Sequence, residues 1–246
     1  MLVDIIIKQP ETELPPLEEG QMRYVVAQNG IFLERKTTLY STSSSVGESI
    51  AGLVPHERMC ALSTPKVSEE MARQLLSFFR WCYELHGGEA ALLLLYDTQR
   101  RELEWYCPEQ RVEVEETWWG GTRSVYEIQY EGPEELPANT IVLADAHSHG
   151  HLSAYPSAVD VEDERYKDGL HIVVGYVNRE DVDVYVDFVM DGNRFAVEPD
   201  FVLSAVGGAW KEDFPKAWKD RVEVVRKPYP YAWRQDPYEE KPYHQP

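Results

Sequence analysis

Residues 68–96 place an amphipathic helix directly before a run suited to the middle of a sheet, and that order constrains the fold more than any other stretch of the chain. Ser68 reads as an N-cap, and Met71, Leu75, Phe78, Phe79, Cys82 and Leu85 fall on one helical face up to residue 86. Gly87-Gly88 stops the helix. Glu89 follows, and then Ala-Ala-Leu-Leu-Leu-Leu-Tyr, a run fit for a central strand. Further strands are expected near 102–107, 111–116, 123–130, 140–147, 170–177, 182–190 and 194–198, with a hairpin turn at Asp191-Gly192. A long helix, many strands, a short helix near 157–168 and more strands make the chain mixed α/β.

Residues 1–58 read as a β-rich segment, because Arg23-Tyr-Val-Val-Ala-Gln and Ile31-Phe-Leu-Glu-Arg flank the hairpin signal Asn29-Gly30. Within it, Thr37 to Ser49 is rich in Ser and Thr and reads as a loop, and Met59 to Val67 leads into the first helix. The expected organisation is 1–58 as this segment, 59–210 as the main domain and 211–246 as a C-terminal extension.

Composition narrows the classes. Hydrophobic residues make up 43% of the chain, as in a globular protein, and 24 Lys+Arg against 43 Asp+Glu give a net charge of −19. That balance argues against nucleic acid or an anionic membrane as partner and suits a basic or neutral protein, though a solvated face explains most of the carboxylates. Cys60, Cys82 and Cys107 form neither a zinc pattern nor a disulfide framework, which fits a reducing cytoplasm. The first ten residues lack the basic start and long apolar stretch of a signal peptide, and no run reaches the length of a membrane helix.

The chemistry sits in His147-x-His149, seven residues, and Ser157-x-x-Asp160. Thr140 to Ala146 reads as a largely buried strand, and alternate strand side chains share a face, so both imidazoles would reach one metal. Ser157-x-x-Asp160 reads as a helix start, with Ser157 as cap and Gly169 as the stop. Asp160 in that first turn would return over the strand end. Two imidazoles and a carboxylate leave one position of a zinc ion open, which is a catalytic arrangement rather than a structural one. His-x-His alone is more often packing, and Ser-x-x-Asp alone is more often only a cap; together at this spacing they are far more specific. His151 and His171 read as ordinary histidines.

This pattern resembles the JAMM motif of the MPN+ (JAB1/MPN/Mov34) metalloproteases, whose members carry a glutamate upstream of the same His/His/Ser/Asp spacing. The family places that glutamate after the first long helix, at the start of a buried strand, and Glu89 stands there. Glu84 is the nearest alternative, inside the helix on its polar side, and the bland reading of Glu89 is an exposed strand start. The resemblance covers roughly residues 60 to 200 and implies a cytidine-deaminase-like sandwich, a mixed sheet with flanking helices. It implies Zn²⁺ held by His147, His149 and Asp160, Glu89 as general base and then acid, and Ser157 as hydrogen-bond donor to the oxyanion. Asp145 or a backbone carbonyl would orient a histidine. One departure is visible: the family commonly has Pro after the second His, and this chain has Gly150.

The family acts on peptide or isopeptide bonds at the C-terminal tails of ubiquitin, ubiquitin-like and sulfur-carrier proteins. The layout is also similar to bacterial JAB proteins found beside E1-like and ubiquitin-like partners, the plasmid-associated PRTRC system protein A among them. Two other readings stand beside an (iso)peptidase: a non-catalytic MPN-type scaffold in a larger assembly, and a zinc hydrolase of small peptides or amides. Deaminase chemistry is unlikely on sequence, because its His-x-Glu and Pro-Cys-x-x-Cys pattern is absent. Trp118-Trp119-Gly120-Gly121 reads as a hairpin turn with locally packed tryptophans or, less simply, as an aromatic wall of a groove. The Pro- and Tyr-rich end from Lys227 reads as a disordered or strapping tail, or as a recognition tail.

Overall fold

A computed structural model describes residues 3–49, 53–116, 122–204 and 212–228. The Trp118 to Gly121 stretch and the tail beyond Pro228 lie outside them. The described chain is mixed α/β, with three sheets and few helices.

The first sheet holds β1 (Asp4–Ile7), β2 (Met22–Ala27), β3 (Gly30–Lys36), β4 (Tyr40–Gly47) and β5 (Met59–Leu62), in sequence order. The Asn29-Gly30 hairpin forms as expected, with Ala27 paired to Gly30. The expected loop over 37–49 is instead β4. Its backbone pairs on both sides, with β3 and with β5, and these ladders satisfy the amides that hydroxyl side chains would otherwise compete for. Thr42, Ser43 and Ser44 are buried there.

Next comes α1 (Glu69–His86), capped by Ser68, whose Oγ accepts from Met71 N–H, and closed by Gly87 at φ +70°. Ala72, Leu75, Leu76, Phe78, Phe79 and Cys82 bury its inner face. Leu85, expected on that face, is 57% exposed, because the last turn runs past the edge of the core.

After α1 the chain runs through β6 (Ala91–Asp97), β7 (Glu102–Tyr106), β8 (Gln110–Glu116), β9 (Thr122–Tyr130), β10 (Thr140–Ser148), α2 (Ala158–Asp163), β11 (Gly169–Gly175), β12 (Asp183–Met190), β13 (Asn193–Val197) and α3 (Pro199–Val202). A 3-10 turn at Lys216–Arg221 leads into β14 (Val222–Pro228). The six-stranded sheet has the order β13-β12-β11-β10-β6-β7, with β10 and β11 parallel and the other pairs antiparallel. The run after Glu89 is thus internal to the sheet, flanked by β10 and β7, and all of its residues from Ala90 to Tyr96 are buried. The third sheet is β14-β8-β9.

One core forms between α1 and the six-stranded sheet, built on Phe78, Phe79, Leu92, Leu94, Ile172 and Phe188. Leu39 belongs to it, and Tyr40 and Leu62 pack on it, so the first sheet leans on the same core. Arg35 bridges to Asp191 at 2.8 Å across the same junction. No helix among the described residues is long and apolar enough to cross a membrane.

Candidate metal centre

β10 delivers the two histidines. His147 pairs with Ala91 on one side and Val173 on the other, so it projects from the middle of the sheet. His149 lies one residue past the strand end with the same parity, its backbone N–H still held by Val174 carbonyl at 2.8 Å. Both side chains are buried, and their Nε2 atoms stand 3.2 Å apart. The chain then turns at Gly150, at φ +55°, a value that the proline ring forbids. The departure from the family pattern is therefore a different turn, one that a proline cannot make. His151 points away and lies against the Tyr83 ring, 6.1 Å between centroids.

α2 delivers the carboxylate. Ser157 Oγ accepts from Asp160 N–H at 3.1 Å and Asp160 Oδ2 accepts from Ser157 N–H at 2.7 Å, a reciprocal capping box. This box fixes the Asp160 rotamer, so its Oδ2 stands 3.7 Å from His147 Nε2 and 3.6 Å from His149 Nε2. The helix ends at Asp163 rather than near 168, with Glu164 as its C-cap and its side chain buried.

The three atoms fit a tetrahedral ion. Zinc bonds of about 2.0–2.1 Å put neighbouring ligands about 3.3 Å apart, and the triangle here measures 3.2, 3.6 and 3.7 Å on its sides. These residues form a group able to hold a metal ion. Their electrostatics call for positive charge. Burial would lower His147, but the bond and charge of Asp160, with Asp145 and Glu89 adding, push it up to about 9. Burial would raise Asp160, but both histidines and Ser157 hold it well below the usual carboxylate range.

Glu89 faces the same place. It is 4% exposed rather than an exposed strand start, and its Oε1 has no hydrogen-bond partner among the described residues. Burial, opposed by His147 and reinforced by Asp160, pushes its carboxyl up to about 8. The backbone around it is pinned: Cys82 Sγ donates to Glu89 carbonyl, Ala90 N–H donates to Ser148 Oγ, and Ala91 N–H donates to Gln110 Oε1. A Cβ on the preceding Gly88 would sit 2.3 Å from Val112 Cγ1, so the approach to Glu89 is glycine for lack of room.

A cavity of about 750 Å³ opens at this point, walled by Glu89, Tyr130, His147, Val159 and Asp160 among others. Ser157 is not on its wall. Ser157 Oγ accepts the Asp160 N–H, and its hydroxyl proton remains to be offered to a substrate. A larger trough of about 990 Å³, walled by Arg58 and Arg165 among others, holds none of the triangle.

Three residues of weight escaped the motif. Tyr130 stands half-buried on the cavity wall, with no local pattern to announce it. Asp145, one of the two alternatives for orienting a metal-facing histidine, meets His171 Nδ1 at 3.0 Å. His171, read as ordinary, is 3% exposed and also faces Glu164 at 3.5 Å. Its only sequence signal was register: Asp145 pairs with His171 across β10 and β11, as His147 pairs with Val173.

Two buried strand histidines, a half-buried helix carboxylate and a protonatable glutamate beside them give this α/β domain a group that could hold a metal ion. Residues 71–189 match the family described as prokaryotic homologs of the JAB domain. This span contains Glu89, His147, His149, Ser157 and Asp160. No curated protein matches the chain.

Proposed function

We propose that this protein is a zinc-dependent peptidase or isopeptidase that cuts after the C-terminal tail of a ubiquitin-like or sulfur-carrier protein. The proposal carries with it the family's cytidine-deaminase-like sandwich and an E1-like enzyme working in the same system. The observation that supports it best is Glu89: a buried carboxyl with an unpartnered oxygen, facing a cavity it shares with His147 and Asp160. A scaffold has no use for such a group, whose burial costs free energy unless something binds it.

His147, His149 and Asp160 would hold the zinc. Zinc bound there supplies Lewis-acid activation of water and of the scissile carbonyl. Glu89, facing the same cavity as His147 and Asp160, takes the proton of the attacking water and gives it to the leaving amine. Ser157 turns its free hydroxyl proton to the oxygen of the former carbonyl as charge develops there. Val159 and Tyr130 form the sides of the cavity along which a tail would lie.

Elemental analysis of purified wild type and of the His147→Ala/His149→Ala double variant tests the metal. One zinc per chain, lost in the double variant, supports it, and fusions of a ubiquitin-like protein to a peptide then test cleavage. A well-folded wild type that takes up no added zinc would sink the hydrolase and leave the scaffold.

A further inference from the structure

The helix that carries Asp160 has no apolar footing. From residue 151 to residue 169 the only buried residue is Glu164. Val159 and Val161 of α2 are 64% and 43% exposed. A helix of six residues does not persist in water by itself, so its seat must come from elsewhere.

The seat is ionic. Glu164 caps the C-terminal end of α2, and Arg194 of β13 meets its Oε2 at 2.8 Å. The same guanidinium holds Asp187 of β12, which is fully buried and also accepts from Tyr185 hydroxyl at 3.1 Å. On the other side, His171 Nδ1 lies 3.5 Å from Glu164 Oε1 and 3.0 Å from Asp145 Oδ1. His171 Nε2 donates to Lys167 carbonyl at 2.9 Å, which fixes the chain three residues beyond Glu164. Four adjacent strands, β10 to β13, thus each supply a side chain to this clamp. Asp160 and Glu164 are joined by the last helical bond, Glu164 N–H to Asp160 carbonyl at 2.8 Å, and lie on one face at i and i+4.

We propose that Glu164 is the positioning residue for the metal ligand Asp160, clamped by Arg194 and His171; this rests on the metal reading above. A helix anchored mainly by paired charge rather than by apolar packing keeps its ligand atom in place only while that charge is paired. Leaving Arg194 and His171 without their shared carboxylate releases the turn and lets Asp160 drift from the two histidines. Asp145, Glu164 and His171 also have the make-up of a second cation site, which the test separates from a clamp.

The test uses the full chain, stripped of metal and titrated with zinc against a chelating indicator. Wild type is compared with Glu164→Ala, Glu164→Gln, Arg194→Ala and Val67→Ala, the last removing core methyls beside Leu203. Amide hydrogen exchange over residues 157–167 is followed in the metal-free proteins. Zinc affinity is expected to fall on the order of 10–100-fold in Glu164→Ala and Arg194→Ala, less in Glu164→Gln, which keeps an oxygen for Arg194, and not in Val67→Ala. Exchange over 157–167 should quicken in the same two variants and not in Val67→Ala. Unchanged affinity and exchange in a folded Glu164→Ala would overturn the inference. So would two zinc ions per wild-type chain with one lost in His171→Ala, since the cluster would then be a metal site. A wild type that binds no zinc sinks the metal reading, and exchange alone then decides the clamp. Should Glu164→Ala fail to fold, Glu164→Gln and Arg194→Ala carry the test.

Discussion

Asp145 and His147 stand two residues apart on β10 and project from the same face of the sheet, yet they serve different clusters. His147 turns to His149 and Asp160, whereas Asp145 turns to His171 and Glu164. α2 repeats the division, with Asp160 in its first turn and Glu164 at its end. A strand period of two and a helix period of four bring two polar clusters side by side, one fit for a metal and one that holds the helix down.

The roles of Glu89 and the metal triangle are separable. Glu89→Gln removes the proton carrier but keeps an oxygen and the shape of the side chain. We expect it to bind zinc in the same stoichiometry as wild type while cleavage of a ubiquitin-like fusion slows by about 10²–10⁴-fold. Single-turnover rates on zinc-loaded protein provide the check. An unslowed variant would remove Glu89 from the mechanism.

Without metal, the stability of the protein should fall as pH rises through neutrality. The Glu89 carboxyl is raised from 4.5 to about 8, so between those values the folded state binds more protons than the unfolded one, and ionisation costs stability. His147 is raised from 6.5 to about 9, so its contribution is present below 6.5 and lost on the way to about 9. Both act in one direction. Asp160 is lowered, and its contribution is lost only in acid. Thermal unfolding of chelator-treated protein should show a melting temperature that drops from about pH 6 to about pH 9, with a shallower drop in Glu89→Gln. A melting temperature that rises across this range contradicts the assignment.

Asp160 has two duties, and amide substitution divides them. Asp160→Asn keeps an oxygen to accept from Ser157 N–H, so the cap survives, but it gives up the charge that the ion needs. Asp160→Ala gives up both and should cost about 1 kcal/mol more in stability. Chemical denaturation of the metal-free proteins, set beside zinc titration, should find Asp160→Asn less destabilised than Asp160→Ala in the first, since it keeps the cap though not the charge facing the histidines, and defective in the second. Equal zinc affinity in Asp160→Asn and wild type would show that this carboxylate is not a ligand.

What the sequence made legible was local. Strand alternation put His147 and His149 on one face, and the cap pattern put Asp160 in a first turn; both are rules of near neighbours. Gly87-Gly88 and the leucine run placed Glu89 for the same reason. The clamp escaped because its partners are far apart in sequence: Asp145 meets His171 across 26 residues, and Arg194 meets Glu164 across 30. Charge pairing at such range leaves no period to read. β4 escaped for a related reason. Its Ser and Thr suit loops, and only its neighbours in the ladder make it a strand. Nor was the end of α2 readable: Gly169 marked a stop, while the helix closes at Asp163 with Glu164 as its C-cap.

Gly150 tests whether the turn after His149 belongs to this chain or can be returned to the family pattern. Its φ of +55° suits glycine, and an added Cβ would meet two atoms of the Tyr83 ring at 3.0 Å. Gly150→Ala should therefore lose about 1–2 kcal/mol from backbone conformation alone, with more from the displaced ring. Gly150→Pro should do worse, because its ring holds φ near −65° and forces the turn open. The turn also sets the bonds Leu152 N–H to His149 carbonyl and Val177 N–H to Gly150 carbonyl, both at 2.9 Å. Opening it pulls directly on His149, so Gly150→Pro should weaken zinc binding as well as lower the melting temperature. Paired zinc titration and thermal unfolding measure both. A Gly150→Pro variant as stable and as zinc-avid as wild type would mean that the chain tolerates the family's turn, and that the positive φ contributes nothing to holding His149.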